Sequence, residues 1–546
     1  MIPVLAVATR PGPGLRSLFK HLSGSGIFEL KVAGPEALVA LNGTRVVLGA
    51  SDRRLRPDQA EALAGWLRGG GALVTLGGTA AAWAENPELD GLLGTPPSEP
   101  SPEAELLVRP VPGHPITDRL EPEMPITDRL PLGGRADGQP LLTAPWHYED
   151  VVLAYERGSF VNLGLGWTDA ALGCRAMQQL THRALRHAAG EAPARPVRIG
   201  MIGFGAIGRE HAEAASSVSG VQLVAVCDRA QPRLDAAKAE FDARGYLEPD
   251  QLLADSDVDL VVVGTPPATH AEVVLQALAA GKHVVCEKPF ALRVDEVDAM
   301  LAAAASNDRV ITVYQSRRWD PDFVAVRSAV RQGAIGDLFY LESFIGGFGH
   351  PCSYWHSHEP ISGGTIYDWG SHYFDWMLQL IEGPVASVSA VAHKRVWHDV
   401  TNSDQVRVDV LFRDGRQGTF MQSDVAAALK PKWYLLGTAG AITGDWRQES
   451  VKSRAWTGDL VEERLNAPEA PAIVTVHRPS GSGESHQERV ALQPRAPFGF
   501  YRNLADHLLL EEPLAVRPEE SRRVVGVMEA ATRSFAAGGR PVKLSI

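Results

Sequence analysis

Residues Val197–Arg229 read VRIGMIGFGAIGREHAEAASSVSGVQLVAVCDR. A short apolar strand, Val197–Ile202, runs into Gly203-Phe204-Gly205-Ala206-Ile207-Gly208. An alanine-rich helical stretch follows, then a second apolar strand, Gln222–Cys227, ending in Asp228. Strand, glycine turn, helix, strand and acid, in that order, are the parts that hold a dinucleotide. Gly203 permits the tight turn, Gly205 lets the backbone approach a pyrophosphate, and Gly208 lets the helix pack closely on the strand. The helix N-terminus adds unpaired N–H groups and the positive end of its dipole. Asp228, twenty residues past Gly208, is positioned to accept hydrogen bonds from a ribose diol. Its charge repels a 2′-phosphate and favours NAD, while the adjacent Arg229 could offset that repulsion and keeps NADP as the alternative.

The alternation continues beyond this unit. Arg233–Arg244 and Thr269–Ala280 read as helices; Asp259–Gly264, His283–Cys286 and Val310–Tyr314 read as buried strands. Polar residues gather just past the strand ends: Thr265 and Pro266, then His270, then Glu287 and Lys288, then Gln315. In an open parallel sheet those ends form the ligand crevice, so Thr265 and Pro266 should border the adenosine and ribose. Glu287 and Lys288 should lie nearer the nicotinamide.

The totals bound the rest. A chain of 546 residues, 45% hydrophobic, is too long for one core and predicts about three domains. A net charge of −12 argues against a nucleic-acid surface, which needs a basic stripe. Ile2–Ala8 lacks a basic leader and reads as a first strand, and no apolar run approaches the length of a membrane span. The four cysteines (Cys174, Cys227, Cys286, Cys352) match no zinc spacing, so no metal is expected. These features predict a soluble, cytoplasmic, thiol-reduced protein.

Residues 1–192 carry their own strands (Ile2–Ala8, Arg45–Leu48, Ala72–Leu76), a helix at Pro57–Leu67, a late hairpin (Val151–Tyr155, Phe160–Leu165) and a closing helix, Ala170–Ala189. This predicts a flavodoxin-like α/β sandwich. Gly94–Pro140 is rich in proline and glycine and repeats PITDRL at Pro115–Leu120 and Pro125–Leu130, which reads as a duplication within a loop. LRPDQAEALAGWLRGGGALVTLGG, GHPITDRL and YERGSFVNLGLGW resemble the trehalose-utilisation ThuA-like family, whose fold is that of class-I glutamine amidotransferases. Where that family has a histidine after the strand Ala72–Leu76, this chain has Gly77-Gly78-Thr79, and Cys174 sits in no nucleophile elbow. Amidotransferase chemistry is therefore not expected; His114 and His147 are the candidates for a residual site. Pro193–Pro196 reads as the linker to the dinucleotide-binding domain at 197–317.

The second informative stretch is Gly363–Asp375, GGTIYDWGSHYFD. If helical, it puts Asp368, His372 and Asp375 on one face and Trp369, Tyr373 and Leu380 on the adjoining apolar one. GFGAIG, CDR, GTPPATH, EKP, QSRRWD, GAIGDL and GGTIYDWGSH, in that order, closely resemble the Gfo/Idh/MocA oxidoreductases over residues 197–546. The resemblance implies a Rossmann domain followed, at 318–546, by an α+β domain with a mostly antiparallel open sheet that often mediates oligomerisation. It also implies a catalytic triad of Lys288, Asp368 and His372. Histidine suits the base that takes a hydroxyl proton as hydride leaves a sugar carbon; Lys288 suits a polarising partner, and the two roles could be exchanged. Strands are expected at Leu338–Phe348, Val385–Lys394, Asp404–Phe412, Gln417–Gln422 and Trp433–Thr438, and closing helices at Pro497–Leu510 and Glu519–Ala537. Glu449–Gln493 reads as polar and irregular, most flexible at Pro479–Gly483.

Arg317, Trp319, Tyr354, His356 and Tyr367 are the candidate sugar contacts, with His372. The expected activity is hydride transfer between NAD(P) and a secondary hydroxyl or ketone of a sugar, sugar derivative or polyol, by a homo-oligomer (dimer or tetramer) with no nucleic-acid or membrane partner. The ThuA-like segment hints, by association alone, at 3-keto-sugar metabolism. The alternatives are an NAD-dependent glycosidase using transient redox and a non-catalytic NAD-bound sugar sensor, the latter disfavoured by the intact Lys288, Asp368 and His372.

Overall fold

Val46–Gly49 and Ala72–Leu76 are buried at every position, the mark of strands covered on both faces of a parallel sheet. The computed structural model of the chain describes all residues except 95, 97–98, 134–137, 148, 192–194, 353, 455–459, 467–469, 481–484, 494–496 and 545. Residues 193–194 of the expected linker and 481–483 of the expected flexible stretch lie outside the described residues. The chain forms two compact units: Met1–Pro196 with Val218–Gly220 and Tyr501–Leu514, and Val197–Ser217 with Val221–Phe500 and Ala515–Ile546.

The first unit holds β1 (Ile2–Val7), β2 (Phe28–Ala33), β3 (Val46–Gly49), β4 (Ala72–Leu76), β5 (Glu99–Pro110), β6 (Met124–Leu132), β7 (Gln139–Trp146), β8 (Glu149–Arg157) and β9 (Phe160–Leu163) in one sheet of order β2-β1-β3-β4-β9-β8-β7-β5-β6. The run β2-β1-β3-β4-β9 is parallel throughout; the rest is antiparallel. Gly94–Pro140 is therefore not one long loop. The second PITDRL copy lies within β6, where Ile126, Asp128 and Leu130 alternate inward, while the first copy forms a turn. Buried Asp128 accepts hydrogen bonds from the Gly166, Trp167 and Thr168 N–H groups. The closing helix breaks at Cys174, an extended residue between Asp169–Gly173 and Arg175–Ala188.

The second unit opens with β10 (Val197–Ile202), β11 (Val221–Cys227), β12 (Arg244–Tyr246), β13 (Leu260–Val263), β14 (His283–Cys286) and β15 (Ile311–Val313). They form an all-parallel sheet of order β12-β11-β10-β13-β14-β15, the doubly wound dinucleotide-binding order, reversing direction between β10 and β13. Its second sheet is built from β16 (Leu338–Gly346), β17 (Val385–His393), β18 (Gln405–Phe412), β19 (Gln417–Ser423), β20 (Trp433–Gly437) and β21 (Gly440–Asp445). After a two-stranded ribbon, β22 (Gln448–Arg454) with β23 (Leu460–Asn466), come β24 (Ile473–Pro479), β25 (Ser485–Arg489) and, at the end, β26 (Val542–Lys543). The larger sheet runs β25-β24-β21-β20-β16-β19-β18-β17-β26, antiparallel except where β16 meets β19. The stretch expected to be irregular, Glu449–Gln493, thus contributes four strands; its polar residues suit an exposed edge such as β25, exposed at every position.

The inner face of this sheet packs on the helix Gly370–Leu380. Tyr373 lies 5.2 Å from Phe420, and Trp376 5.0 Å from Trp433, centroid to centroid. Burying aromatics of this size dominates local stability, and it fixes the helix that carries His372.

Candidate active site

The dinucleotide loop follows β10. Gly203 has φ +93°, and a Cβ there would lie 2.7 Å from the Gly264 carbonyl oxygen, so only glycine fits. A Cβ on Gly205 would meet nothing within 4 Å: the loop faces open space there, as a bound pyrophosphate requires. Phe204 is buried, and the helix Ala206–Ser217, carrying Ile207 and Gly208 in its first turn, begins directly afterwards. At the end of β11, Asp228 accepts hydrogen bonds from the N–H groups of Phe204 (2.8 Å) and Ala230 (2.9 Å). Burial opposes its charge, but those N–H groups and Arg233 outweigh it and hold its pKa below the ordinary value. The cation paired with Asp228 is Arg233, at 3.1 Å; Arg229 is exposed. Open glycine loop, helix N-terminus and carboxylate together fit a dinucleotide.

Thr265 and Pro266 follow β13 at the same edge, with the Thr265 hydroxyl accepting from Thr269 at 2.8 Å. His270 does not face that crevice. It is completely buried, its ring nitrogens 2.8 Å from the carbonyl oxygens of Thr265 and Pro289, so it ties two loops together.

Beyond β14, one cavity of about 570 Å³ collects the reactive groups. Lys288 Nζ donates to Asp368 Oδ1 at 3.0 Å, and both line the cavity together with His372. Burial works against the charge of Asp368, yet the Lys288 ammonium outweighs it and holds the carboxyl below its usual pKa. His372, 6% exposed, has its pKa pushed well below 6.5, first by burial and then by Lys288 and Arg317, so it is neutral at neutral pH. Glu287 lines the cavity, but its carboxylate is engaged: it accepts from the Lys288 N–H at 2.8 Å and lies 2.8 Å from His211 Nε2. Arg317 lines it too, 3.2 Å from Asp320 and stacked 4.7 Å over the Trp369 ring, and Tyr354 and His356 complete that side.

Several expected placements are corrected. Asp368 is not helical: it ends a short 3₁₀ turn, Thr365–Tyr367, two residues before the helix Gly370–Leu380, and that offset lets it reach Lys288. Asp375, one turn past His372, points away and forms a bidentate pair with Arg318 at 2.5 and 2.7 Å. Gln315 is 2% exposed and serves the protein's own machinery, with Nε2 donating to the Ser371 carbonyl and Oε1 facing His372 Nδ1, each at 3.1 Å. Tyr367 is buried, and its hydroxyl donates to the Leu292 carbonyl at 2.8 Å, outside the cavity. Trp319 packs edge-on against Phe500, with centroids 6.3 Å apart, and does not line the cavity. Among the residues missed in the sequence are Glu210, Asn402, Gln422 and Asp424, which also line it. They come from a helix, a turn and the end of β19, with no shared motif to announce them.

In the first unit, His114 lies 2.8 Å from Glu156, and His187 2.7 Å from the same carboxylate. The Ile116 N–H donates to His114 Nδ1, so the proton of this imidazole sits on Nε2 and points to Glu156. Cys174 has its pKa raised, chiefly by burial, unlike an activated nucleophile.

The glycine loop and strand order are those of a dinucleotide-binding Rossmann fold, and comparison with known proteins agrees. The oxidoreductase-family model for an NAD-binding Rossmann fold (GFO_IDH_MocA) matches residues 197–315, and the GFO/IDH/MocA C-terminal domain model matches 323–443. The chain is 33% identical over 221 residues to the uncharacterized oxidoreductase C26H5.09c of Schizosaccharomyces pombe, covering 39% of this chain and 60% of that one. The chain thus spans about three fifths of that relative's length. It is 31% identical over 267 residues to an inositol 2-dehydrogenase of Rhizobium meliloti, covering 48% and 79%. The crystal structure of an NAD-binding protein from Listeria innocua superposes with a TM-score of 0.54 at 26% identity, covering 64% of this chain and 97% of the other. The chain belongs to the Gfo/Idh/MocA oxidoreductase family. Among the described residues, no helix is long and apolar enough to cross a membrane.

Proposed function

We propose that this chain is an NAD-dependent dehydrogenase acting on a secondary hydroxyl of a sugar or polyol, with Lys288, Asp368 and His372 as its catalytic residues. The observation that carries the reading is the meeting of these three side chains on one cavity, next to strand ends built for a dinucleotide. Bound NAD+ would supply the hydride acceptor. His372, neutral and with Nδ1 held by Gln315, has the Nε2 lone pair free to take the hydroxyl proton. The Lys288 ammonium, held by Asp368, would hydrogen-bond the same oxygen and stabilise negative charge developing there. The likeness to an inositol 2-dehydrogenase supports a polyol substrate. Asp228 supports NAD over NADP, against the two nearby arginines.

Residues 1–192 are read as a ThuA-like, amidotransferase-like module without amidotransferase activity; the matched residues begin at 197, so this reading stands on the sequence resemblance and the parallel order β2-β1-β3-β4-β9. Residues 197–317 and 318–546 would be the cofactor and substrate domains. Phe339, Val391, Leu411 and Tyr434 stand exposed on the strands of the open sheet, which supports a homo-oligomer formed through that face. A cytoplasmic location accords with four free cysteines.

The test is NADH formation by the purified chain with NAD+ and a panel of myo-inositol, glucose, trehalose and aminosugars, beside Lys288→Ala. Turnover abolished by the substitution is the expected result. Tight NAD binding with no net NADH from any substrate would overturn the dehydrogenase reading in favour of transient redox or sensing.

A further inference from the structure

The wall of the cavity contributed by the larger sheet has a chemistry of its own. Strands β16 and β19 run parallel, so their carboxyl ends come together at Gly346 and Ser423, and the residues flanking Ser423, Gln422 and Asp424, line the cavity. Gln422 is 7% exposed, and its side-chain oxygen is buried with no hydrogen-bond partner among the described residues. Native proteins rarely leave a buried acceptor unpaired, and this one belongs to a residue that lines the cavity. Asp424 adds a carboxyl group. Its charged neighbours are Asp368 and Asp404 on one side and Lys394 on the other; burial and the two acids push its pKa up to about 6, against the pull of Lys394. Lys394 is itself drawn to Asp404 at 3.1 Å.

The other groups on this wall are already committed. Asn402 donates through Nδ2 to the His356 carbonyl at 2.8 Å. The cations of the cavity are also engaged, Lys288 with Asp368 and Arg317 with Asp320. Four carboxylates line the cavity (Glu210, Glu287, Asp368 and Asp424) against the two cations Lys288 and Arg317. The sheet-side wall therefore presents acceptors within a field that is negative on balance. A ligand that brings hydroxyl donors gains there, and one that brings a carboxylate or phosphate loses.

Resting on the dehydrogenase reading above, we propose that Gln422 and Asp424 form the specificity wall of the substrate site: they accept hydrogen bonds from the hydroxyls of an uncharged polyol, remote from the oxidised carbon, and exclude sugar acids and sugar phosphates. The test uses the full chain and its variants Asp424→Asn and Gln422→Leu. Initial rates with NAD+ are compared for myo-inositol, D-glucose and D-glucuronate, and binding of the same three compounds to the NADH-loaded protein is measured by calorimetry. The expected result is that the neutral compounds are used and glucuronate is not. Each substitution should raise KM for the neutral compounds about tenfold, with a smaller change in kcat, the size of one lost hydrogen bond. Asp424→Asn alone should narrow the gap between glucose and glucuronate. Turnover of a neutral polyol with KM unchanged in both variants, or a preference for glucuronate, would overturn the wall while leaving the dehydrogenase reading intact. Binding weakened by both substitutions, without turnover, would sustain the wall and overturn the dehydrogenase reading.

Discussion

Gln315 and His372 are joined by a 3.1 Å hydrogen bond that fixes which nitrogen of the imidazole is free. Gln315 Nε2 donates to the Ser371 carbonyl, which can only accept, so the other end of the amide, Oε1, must face His372. Nδ1 of His372 then carries the proton and Nε2 the lone pair. Gln315→Leu keeps the bulk and removes the acceptor. We expect kcat to fall about 10- to 100-fold, the size of losing the partner that orients a histidine and less than the about 10²- to 10⁴-fold of losing a general base itself, with little change in KM for NAD+. Gln315→Glu should restore part of the rate, because a carboxylate also accepts from Nδ1–H, and should move the acid limb of the kcat profile to higher pH. A purely structural role for Gln315 would not shift that limb.

The pH dependence follows from the charges around the base. Burial, then Lys288 and Arg317, push the pKa of His372 below 6.5, so the acid limb of kcat/KM should lie below pH 6.5. Between the folded and unfolded pKa values the unfolded chain binds the extra proton, so this histidine makes stability rise with pH up to about 6.5 and adds nothing above. Asp368 has the complementary sign. Its lowered pKa gives stability that is present above about 3.8 and is lost as the pH falls through the folded value. Lys288→Met removes the cation that acts on both. The acid limb should move up, acid unfolding should begin at a higher pH, and kcat should fall about 10²- to 10⁴-fold. Rate profiles and acid titrations followed by circular dichroism measure all three.

The cofactor domain was legible because its signal is local: strands β10, β11, β13, β14 and β15 and the glycine turn are written in consecutive residues, whereas the three-residue edge strand β12, at Arg244–Tyr246, falls at the end of a stretch that reads as helix. The two PITDRL copies show where local reading stops. Identical hexapeptides form a turn at Pro115–Leu120 and part of a strand at Pro125–Leu130, because only the second has β5 beside it in register. The same limit applied at the site. Lys288, Asp368 and His372 sit in motifs and could be named, but Gln422 and Asp424 reach the cavity only through the parallel pairing of β16 with β19, a contact between distant segments. Spacing places Gln315 and His270 near the strand ends but does not tell which way a side chain turns: Gln315 bonds His372 and the Ser371 carbonyl, and His270 lies between the Thr265 and Pro289 carbonyls.

Cofactor preference is expected to turn on Asp228 and its partner Arg233. With Asp228 present, the ribose edge offers a carboxylate to a free diol; Arg233, 3.1 Å away, is already paired with it. Asp228→Asn removes a charged acceptor worth about 1.5–3 kcal/mol, about 10- to 100-fold in kcat/KM for NAD+. It also releases Arg233 toward a 2′-phosphate, so kcat/KM for NADP+ should rise. Arg233→Ala should act in the opposite direction and deepen the preference for NAD+. Initial rates with both cofactors, at saturating polyol, give the ratio directly.

The helix that carries His372 is anchored by an ion pair that can be tested without any substrate. Arg318 meets Asp375 through two parallel hydrogen bonds, and Arg318 also donates to Glu520 at 2.7 Å; Arg318 and Asp375 are 5% and 2% exposed. Burial opposes the charge of Arg318, but the two carboxylates outweigh it and hold its pKa above the ordinary value. Taking such a pair out of water is costly, so its net stabilisation against apolar residues of the same volume is small, whereas removing one partner strands a buried charge. Arg318→Met should therefore destabilise the unit by about 3–5 kcal/mol, and Asp375→Leu by a similar amount. The double variant Arg318→Met/Asp375→Leu should recover much of that loss. Thermal and denaturant unfolding of the three variants gives the coupling energy. Because His372 lies one helical turn before Asp375, the single variants should also lose turnover at temperatures where they remain folded.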